Sequence, residues 1–499
     1  MTETSLFVFG DSLSDTGNSF QFTQGLIPPA PFYFNGRFSN GPVAVDLLPT
    51  LLGVTLQPAN NFAFGGATTG RGNSNEDDLG VDLPGLRDQI EAFTAIVGAG
   101  GADAAGLYLV WAGPNNFLDT LGGSVVADPA ALLQQGTIDL VDAVQTLNGL
   151  GAEQIVLPNM VNLGRLPASR EFSREATAIT KAFNASVALA IGNLNFSVTA
   201  VDLFKVGEEI AADPARFNFT NVTDPLLFRL FDPTLPPPTN PSEFFFWDQF
   251  HPTQEGHAIF ADVIAKIVTN LIPQPQFNRI LGTDRSDWRF GSTGDDDMDG
   301  LAGSDFLFAG AGNDRIEGWS GHDQLFGGQG DDILSGGEGY DAIWGGEGAD
   351  IGFGGAGYDW LFGEIGDDIL VGDAGGDWIN GGQGNDYLLG GADDDLLWGD
   401  HGDDIVNGGS ESDRIWGGQG NDQLDGGTEA DRLTGGAGND RFVYRFGNGF
   451  DQLMDFVQGQ DQIDLTSFEF ANFTEFLNSI LRLVGINASN LSEADVLLA

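Results

Sequence analysis

Between Asp287 and Asp440 an aspartate recurs every nine residues without a break. Around each the pattern is Gly-Gly-x-Gly-x-Asp-x-apolar-x, as in Gly327-Gly328-Gln329-Gly330-Asp331-Asp332-Ile333-Leu334-Ser335. No other feature restricts the fold so strongly. Each unit is just long enough for a glycine turn and a short strand, and none can bury its aliphatic side chain alone. Alternate aspartates lie eighteen residues apart, so the repeats sort into two interleaved series. Acidic disorder would not hold this register, nor place an aliphatic two residues after nearly every Asp; Arg289 and Gly352 are the exceptions. The many Gly-x-Gly strings are by-products of the period and carry no dinucleotide signal.

The formal charge of −52 is uneven: residues 1–270 hold 28 acids and 11 bases, residues 271–499 the other 44 acids and 9 bases. Such a chain is repelled by nucleic acid and by anionic membrane surfaces. Carboxylates at this density are either solvated in a disordered tail or held together by a cation, and the regular spacing favours the cation.

The nonapeptide pattern resembles the RTX repeat, whose parallel β-roll binds calcium. Aspartates from stacked turns, with backbone carbonyls, supply hard oxygen ligands for several structural Ca²⁺ ions. The candidate ligands are Asp296, Asp314, Asp332, Asp350, Asp368, Asp386, Asp404, Asp422 and Asp440 on one edge, and Asp305, Asp323, Asp341, Asp359 and Asp377 on the other. On the first edge the residue before the aspartate is Asn or Asp in eight of nine turns, Ala349 being the exception. On the second edge it is mostly Ser, His, Tyr, Gly or Ala, and the glycine two before the aspartate is replaced by Asp393, Glu411 and Glu429. A complete calcium column is expected on the first edge, and one broken near 393–431 on the second.

The first half of the chain reads differently. Apolar runs at Leu6–Phe9, Thr55–Phe64, Leu107–Trp111, Gln154–Pro158 and Ser197–Phe204 alternate with helical periodicity at Val43–Leu52, Leu83–Val97, Ala131–Leu150, Arg174–Leu194 and Thr253–Leu271. Alternation of this kind predicts an α/β domain with a parallel five-stranded sheet and a ligand site beyond the strands' carboxyl ends. At the first such end stands Phe9-Gly10-Asp11-Ser12-Leu13-Ser14-Asp15-Thr16-Gly17-Asn18, where a strand delivers a serine into a tight polar turn, as a nucleophile requires. Gly65-Gly66-Ala67-Thr68-Thr69-Gly70 follows the second run and suits either a plain turn or a backbone donor to an oxyanion. Gly113-Pro114-Asn115-Asn116 follows the third run and brings an uncharged amide to the same rim.

The chain has four histidines, so chemistry in the first half depends on His251 or His257. Asp248 lies three residues before His251, close enough to curl back and orient the imidazole. His257 lies inside a helix without an acid at matching spacing and reads as a packing or hydrogen-bonding residue. There is no cysteine, which excludes disulfides and thiolate metal sites.

Together these blocks resemble the GDSL, or SGNH, hydrolase family over about residues 5–272. Those at 9–18, 61–67, 113–116 and 248–251 occur in the family's order, and Gly36-Arg37-Phe38-Ser39-Asn40-Gly41 matches a further recurring stretch. The resemblance implies a flavodoxin-like fold and hydrolysis of acyl esters, with Ser12 as nucleophile, His251 as base and Asp248 as its orienter. The oxyanion hole would consist of the Ser12 and Gly66 N–H groups and the Asn115 amide. The family usually has Asp where Asn116 stands, so the bond fixing that loop is expected to differ.

The expected organisation is a catalytic domain at 1–272, a linker at 273–286, the roll at 287–445, and a cap with a type I secretion signal at 446–499. The N-terminus lacks a secretory leader and no apolar stretch would span a bilayer. The expectation is therefore a secreted serine esterase or lipase, exported by a type I apparatus and folded by calcium outside the cell. The alternatives are a calcium-dependent adhesion protein with an inactive hydrolase-like domain, and a carbohydrate deacetylase or phospholipase on the same scaffold. Two aromatic runs, 29–34 and 243–247, suit either an acyl pocket or the core.

Overall fold

The structure is a computed structural model that describes residues 4–29, 31–74, 83–118, 128–231, 240–269, 277–445, 448, 451–466 and 496–498. The chain divides into two compact units, Met1–Leu121 with Gln135–Gln274 and Gly122–Gln134 with Pro275–Ala499.

The first unit is built on four parallel strands in sequential order, β1 (Leu6–Gly10), β2 (Leu107–Trp111), β3 (Gln154–Pro158) and β4 (Val198–Val201). Helices α1 (Asn18–Phe22), α2 (Ala44–Leu52), α3 (Leu86–Val97), α4 (Pro129–Gly149), α5 (Ser173–Gly192), α6 (Leu203–Ala212), α7 (Leu226–Phe231) and α8 (Gln254–Val268) connect and follow them. Every residue of β2 is buried, as expected of a parallel strand with both faces covered. Phe93 of α3 packs edge-on against Phe7, Phe9, Phe62 and Tyr108, which anchors that helix to the sheet.

The expected fifth strand runs beside β1 but is not a continuous one. The Leu6 N–H donates to the Thr55 carbonyl at 2.7 Å, and the Phe62 and Phe64 N–H groups donate to Val8 and Gly10 at 2.8 and 3.0 Å. Between them a 3₁₀ turn at Pro58–Asn60 interrupts the ladder, because proline has no N–H to offer it. The segment nevertheless occupies the edge position, and its last residues arrive next to the end of β1.

The second unit is a parallel β-roll of two sheets. Odd and even repeats separate into a twelve-stranded and a ten-stranded sheet. Pairing keeps the register of eighteen, as in Gln324 with Ala342 and Ile333 with Ile351. The aliphatic two residues after each aspartate points inward, and a file of such residues, Leu325, Leu334, Ile343, Leu361 and Leu370 among them, is almost wholly buried. Gly352 breaks the file without leaving a hole, since a Cβ there would lie 3.0 Å from Leu370 Cδ2. On the outer face the same register stacks aromatic rings, Phe326 on Trp344 at 4.4 Å and Trp398 on Trp416 at 4.9 Å.

Two features of the roll extend past its expected ends. Asn278–Thr283, inside the expected linker, is a strand paired with Asp296–Gly303, because Asn278 falls eighteen before Asp296 and occupies the coil beneath it. The aspartate ladder also continues into the cap, where Asp451 and Asp461 accept the N–H groups of Asp431 and Asp440 at 3.1 and 3.2 Å. Most of the tail read as an export signal lies outside the described residues; its strand Val496–Leu498 pairs with Gln462–Leu465.

Asp393, Glu411 and Glu429 adopt left-handed φ values of 81°, 75° and 71°, positive like those of the glycine they replace but below the 122° to 158° which that glycine takes in other coils. The turn survives the substitution because the stacked coils impose it, at roughly 1–2 kcal/mol for each L-residue so held. Glu411→Gly is therefore expected to stabilise the roll by about 1 kcal/mol in saturating calcium. Denaturant midpoints at constant m would show this, and an unchanged midpoint would contradict it.

Candidate active site and cation-binding edges

The carboxyl end of β1 fixes the serine. Gly10 has φ +146°, and a Cβ there would lie 2.0 Å from the Trp111 carbonyl, so only glycine fits between the strands. The Gln89 side chain on α3 clamps the same residue, accepting from the Gly10 N–H at 2.8 Å and donating to its carbonyl at 2.9 Å. Asp15 then ties the next turn to the Gly65 loop: it accepts from the N–H groups of Gly17 (2.7 Å), Asn18 (2.6 Å), Ser19 (3.1 Å) and Gly65 (3.1 Å). Ser12 is left at the mouth of a cavity.

The histidine arrives from the turn before α8. Asp248 Oδ1 accepts from the Phe250 and His251 N–H groups, both at 2.8 Å, which folds the segment back on itself. The same carboxylate then faces the ring, with His251 Nδ1 at 2.9 Å from Oδ1 and 2.8 Å from Oδ2. On its far side His251 Nε2 lies 2.8 Å from Ser12 Oγ. Burial works against charge on Asp248, yet the His251 ring, the Phe250 N–H and Tyr33 hold its carboxyl below the usual range. Tyr33 is the contact sequence reasoning missed: its hydroxyl donates to Asp248 Oδ2 at 2.8 Å. Its only sequence signal was membership of an aromatic run.

Ser12, Gly66, Asn115 and His251 line one cavity of about 230 Å³, and Asp248 sits buried behind the imidazole. The Asn115 amide donates to the Ala67 carbonyl at 3.0 Å; its NH₂ carries a second proton for another acceptor. Asn116 fixes the loop in its own way, accepting from the Thr69 N–H at 2.9 Å and donating to Thr69 Oγ1 at 2.7 Å. Of the aromatic runs, Phe245 and Phe246 reach the cavity, whereas Phe244 and Trp247 pack with Tyr33 and Leu226. His257 stands apart from this chemistry. It accepts from the Ala44 N–H at 3.2 Å at the start of α2, and burial pushes its pKa down to about 3, so it is neutral.

The roll places every predicted ligand aspartate on one of two edges, and a single rule covers both. Each Oδ1 accepts the N–H of the aspartate one coil earlier, at 2.8 Å for both Asp350 and Asp359, except that of Asp296, which accepts from the Asn278 side-chain amide. The Oδ2 atoms of Asp314, Asp332, Asp350, Asp368 and Asp422 on the first edge are buried without a hydrogen-bond partner. So are those of Asp305, Asp323, Asp341, Asp359, Asp377, Asp395 and Asp413 on the second. Beside most of them is a pocket of oxygen: a Cβ on Gly327 would lie 2.3 Å from Asp332 Oδ2 and 2.7 Å from the Gly345 carbonyl. Gly390, beside Asp395 Oδ2 and the Gly408 carbonyl, repeats this within the stretch where the second edge was expected to break. Asp296 differs, because its Oδ2 already accepts from the Ser292 N–H and hydroxyl.

Burial, with neighbouring carboxylates adding to it, pushes Asp377, Asp395 and Asp413 up to about 9. Carboxylates so placed need a proton or a cation, and an all-oxygen donor set fits a hard cation such as Ca²⁺. Among the described residues no three His, Asp or Glu side chains gather as a metal site, since each coil offers one carboxylate and otherwise carbonyls. The Asn/Asp column that distinguishes the first edge has a role of its own: Asn313 Oδ1 accepts from Asp331 N–H at 3.2 Å and Asn385 Oδ1 from Asp403 N–H at 2.9 Å, joining coil to coil.

Asp11, next to Ser12, is fully buried, and burial pushes it up to about 7. Its unfolded value is near 3.8, so the folded state holds the proton more tightly. Its contribution to stability is complete below about pH 4 and is lost as pH rises through 7. Asp11→Asn removes that dependence: the stability difference, wild type minus variant, should fall between pH 4 and 8 at fixed saturating calcium. A flat difference in denaturant titrations would contradict this.

Residues 6–264 match the GDSL-like Lipase/Acylhydrolase family, and the RTX calcium-binding nonapeptide repeat matches overlapping stretches from 290–325 to 416–451. A GDSL esterase/lipase of Arabidopsis thaliana is 26% identical over 318 residues, covering 52% of this chain and 86% of the relative. A second from the same plant is 28% identical, covering 52% and 90%. The phosphatidylcholine-sterol acyltransferase of Aeromonas hydrophila is 28% identical over 221 residues, covering 43% and 63%. Among the described residues no helix is long and apolar enough to cross a membrane. The α/β unit with its serine turn, followed by a roll of nonapeptide repeats, makes this chain a member of the GDSL-like lipase/acylhydrolase family that carries RTX repeats.

Proposed function

We propose that this chain is a secreted serine esterase or lipase that hydrolyses carboxylic acyl esters. The observation that supports it most is the continuous run Asp248–His251–Ser12, with 2.8 Å between His251 Nε2 and Ser12 Oγ. In this reading His251 takes the Ser12 proton as Oγ bonds to the ester carbonyl carbon. The oxyanion is met by the Ser12 and Gly66 N–H groups and the free proton of the Asn115 amide. The C–O bond to the alcohol then breaks, and His251 returns its proton to the leaving oxygen. Water, deprotonated by the same imidazole, attacks the acyl-enzyme and releases the acid and Ser12. Asp248 stays ionised throughout, held by Tyr33 as well as by the ring.

Calcium takes no part in these steps. Bound by the Oδ2 atoms and glycine carbonyls of successive coils, it would neutralise the buried carboxylates and link the coils. The roll would then stay unfolded where calcium is scarce and fold outside the cell after type I export.

Ser12→Ala is expected to lower kcat on a short-chain p-nitrophenyl ester by at least about 10⁴-fold with an unchanged melting temperature. Equal rates for both proteins would end the serine mechanism, and with it favour an adhesion role. Chelation should separately lower the roll's melting temperature. Each site saturated at a hundred times its Kd contributes about 2.7 kcal/mol. The tryptophans stacked along the roll, Trp344, Trp398 and Trp416 among them, report this by fluorescence. A melting curve indifferent to chelator and to added calcium would remove calcium from the account.

A further inference from the structure

Helix α6 carries Leu203, Gly207, Ile210 and Ala211 at spacings of four, three and one, so the four share one apolar stripe. Leu203 and Ile210 are buried, and Gly207, Ile210 and Ala211 line the cavity that contains Ser12 and His251. Glycine inside a helix costs about 1 kcal/mol relative to alanine, and nothing in the backbone requires it here. Gly207 is not among the glycines with positive φ. A Cβ built on it meets no atom within 4 Å, so no neighbour crowds out a side chain. What the glycine does is leave part of the cavity wall without a side chain.

The rest of that wall is largely apolar, with Val161, Leu163, Leu166, Val222 and Phe260. Arg165 also lines it, but its guanidinium is engaged by Glu208 at 2.7 and 2.9 Å and is therefore a poor anchor for a substrate carboxylate. Asn162 donates to the same glutamate at 2.8 Å, which fixes the helix residue next to Gly207.

We propose that the notch at Gly207 is part of the acyl subsite and that the absent side chain sets the length of acyl chain accepted. The inference rests on the esterase reading above. The cavity measures about 230 Å³, below the roughly 300–1,000 Å³ of drug-sized sites. A cavity of this size favours short- to medium-chain acyl esters over long-chain lipids.

The test compares kcat/KM on p-nitrophenyl acetate, butyrate, octanoate and palmitate for the full-length, calcium-loaded chain and its Gly207→Leu and Gly207→Ala variants. Wild type should gain roughly three- to fourfold per methylene up to about octanoate and lose the gain at palmitate. Gly207→Leu should reduce the octanoate-to-acetate ratio at least tenfold, with a smaller reduction for Gly207→Ala. Neither should lower the melting temperature, because both residues favour helix over glycine. A second readout needs no turnover: in the Ser12→Ala background, calorimetric affinity for octanoate should fall at least tenfold when residue 207 is Leu. An unchanged ratio together with unchanged octanoate affinity would overturn the subsite. If no ester is cleaved but octanoate affinity still depends on residue 207, the subsite stands and the esterase reading fails.

Discussion

A hydrogen bond of 2.8 Å between Ser12 and His251 joins two residues separated by 239 positions. It requires both ends of the α/β unit to be placed within tenths of an ångström, and much of the surrounding structure serves that placement. Gly10 permits the close approach of β1 to β2, and Gln89 closes both backbone groups of that glycine from α3. On the other side, Asp248 folds its own turn before it orients the imidazole, and Thr253 begins α8 immediately afterwards. The result is a serine hydroxyl whose position is set by strand and helix ends, which is the condition that preorganised catalysis would need.

The roll answers a different constraint, the cost of burying charge. One carboxylate per repeat is drawn inside, where one oxygen serves the coil before it and the other faces carbonyls. The aliphatic files and the stacked aromatics contribute packing between coils, but a buried carboxylate without a proton or a cation opposes that packing. Calcium would convert the opposing term into a link between coils, so that the repeat is held by what it binds. The excess negative charge of residues 271–499 has the same origin.

The two units show how unequally sequence exposes a site. In the roll, period and register were legible because strands of the repeats pair with residues eighteen away, and a local pattern therefore encodes a non-local one. The persistence of the turns at Asp393, Glu411 and Glu429 was not legible, because stacked neighbours hold a conformation these residues disfavour. In the α/β unit the strand ends, the serine turn and the Asp248–His251 spacing were visible in short motifs. Tyr33 and Gln89 carry no motif, since each acts through a single contact made by a distant element.

The amino-acid order alone therefore determined the repeat, the alternation of strand and helix, and which side chains have chemistry to offer. Only the tertiary structure decided that the Thr55–Phe64 segment lies beside β1 without completing a strand, that Asn116 fastens its loop to Thr69, and that a glycine on α6 lines the cavity shared by Ser12 and His251. The physical reason is common to all three. Each depends on distances between elements far apart in the chain, and local propensity and spacing contain no information about those distances.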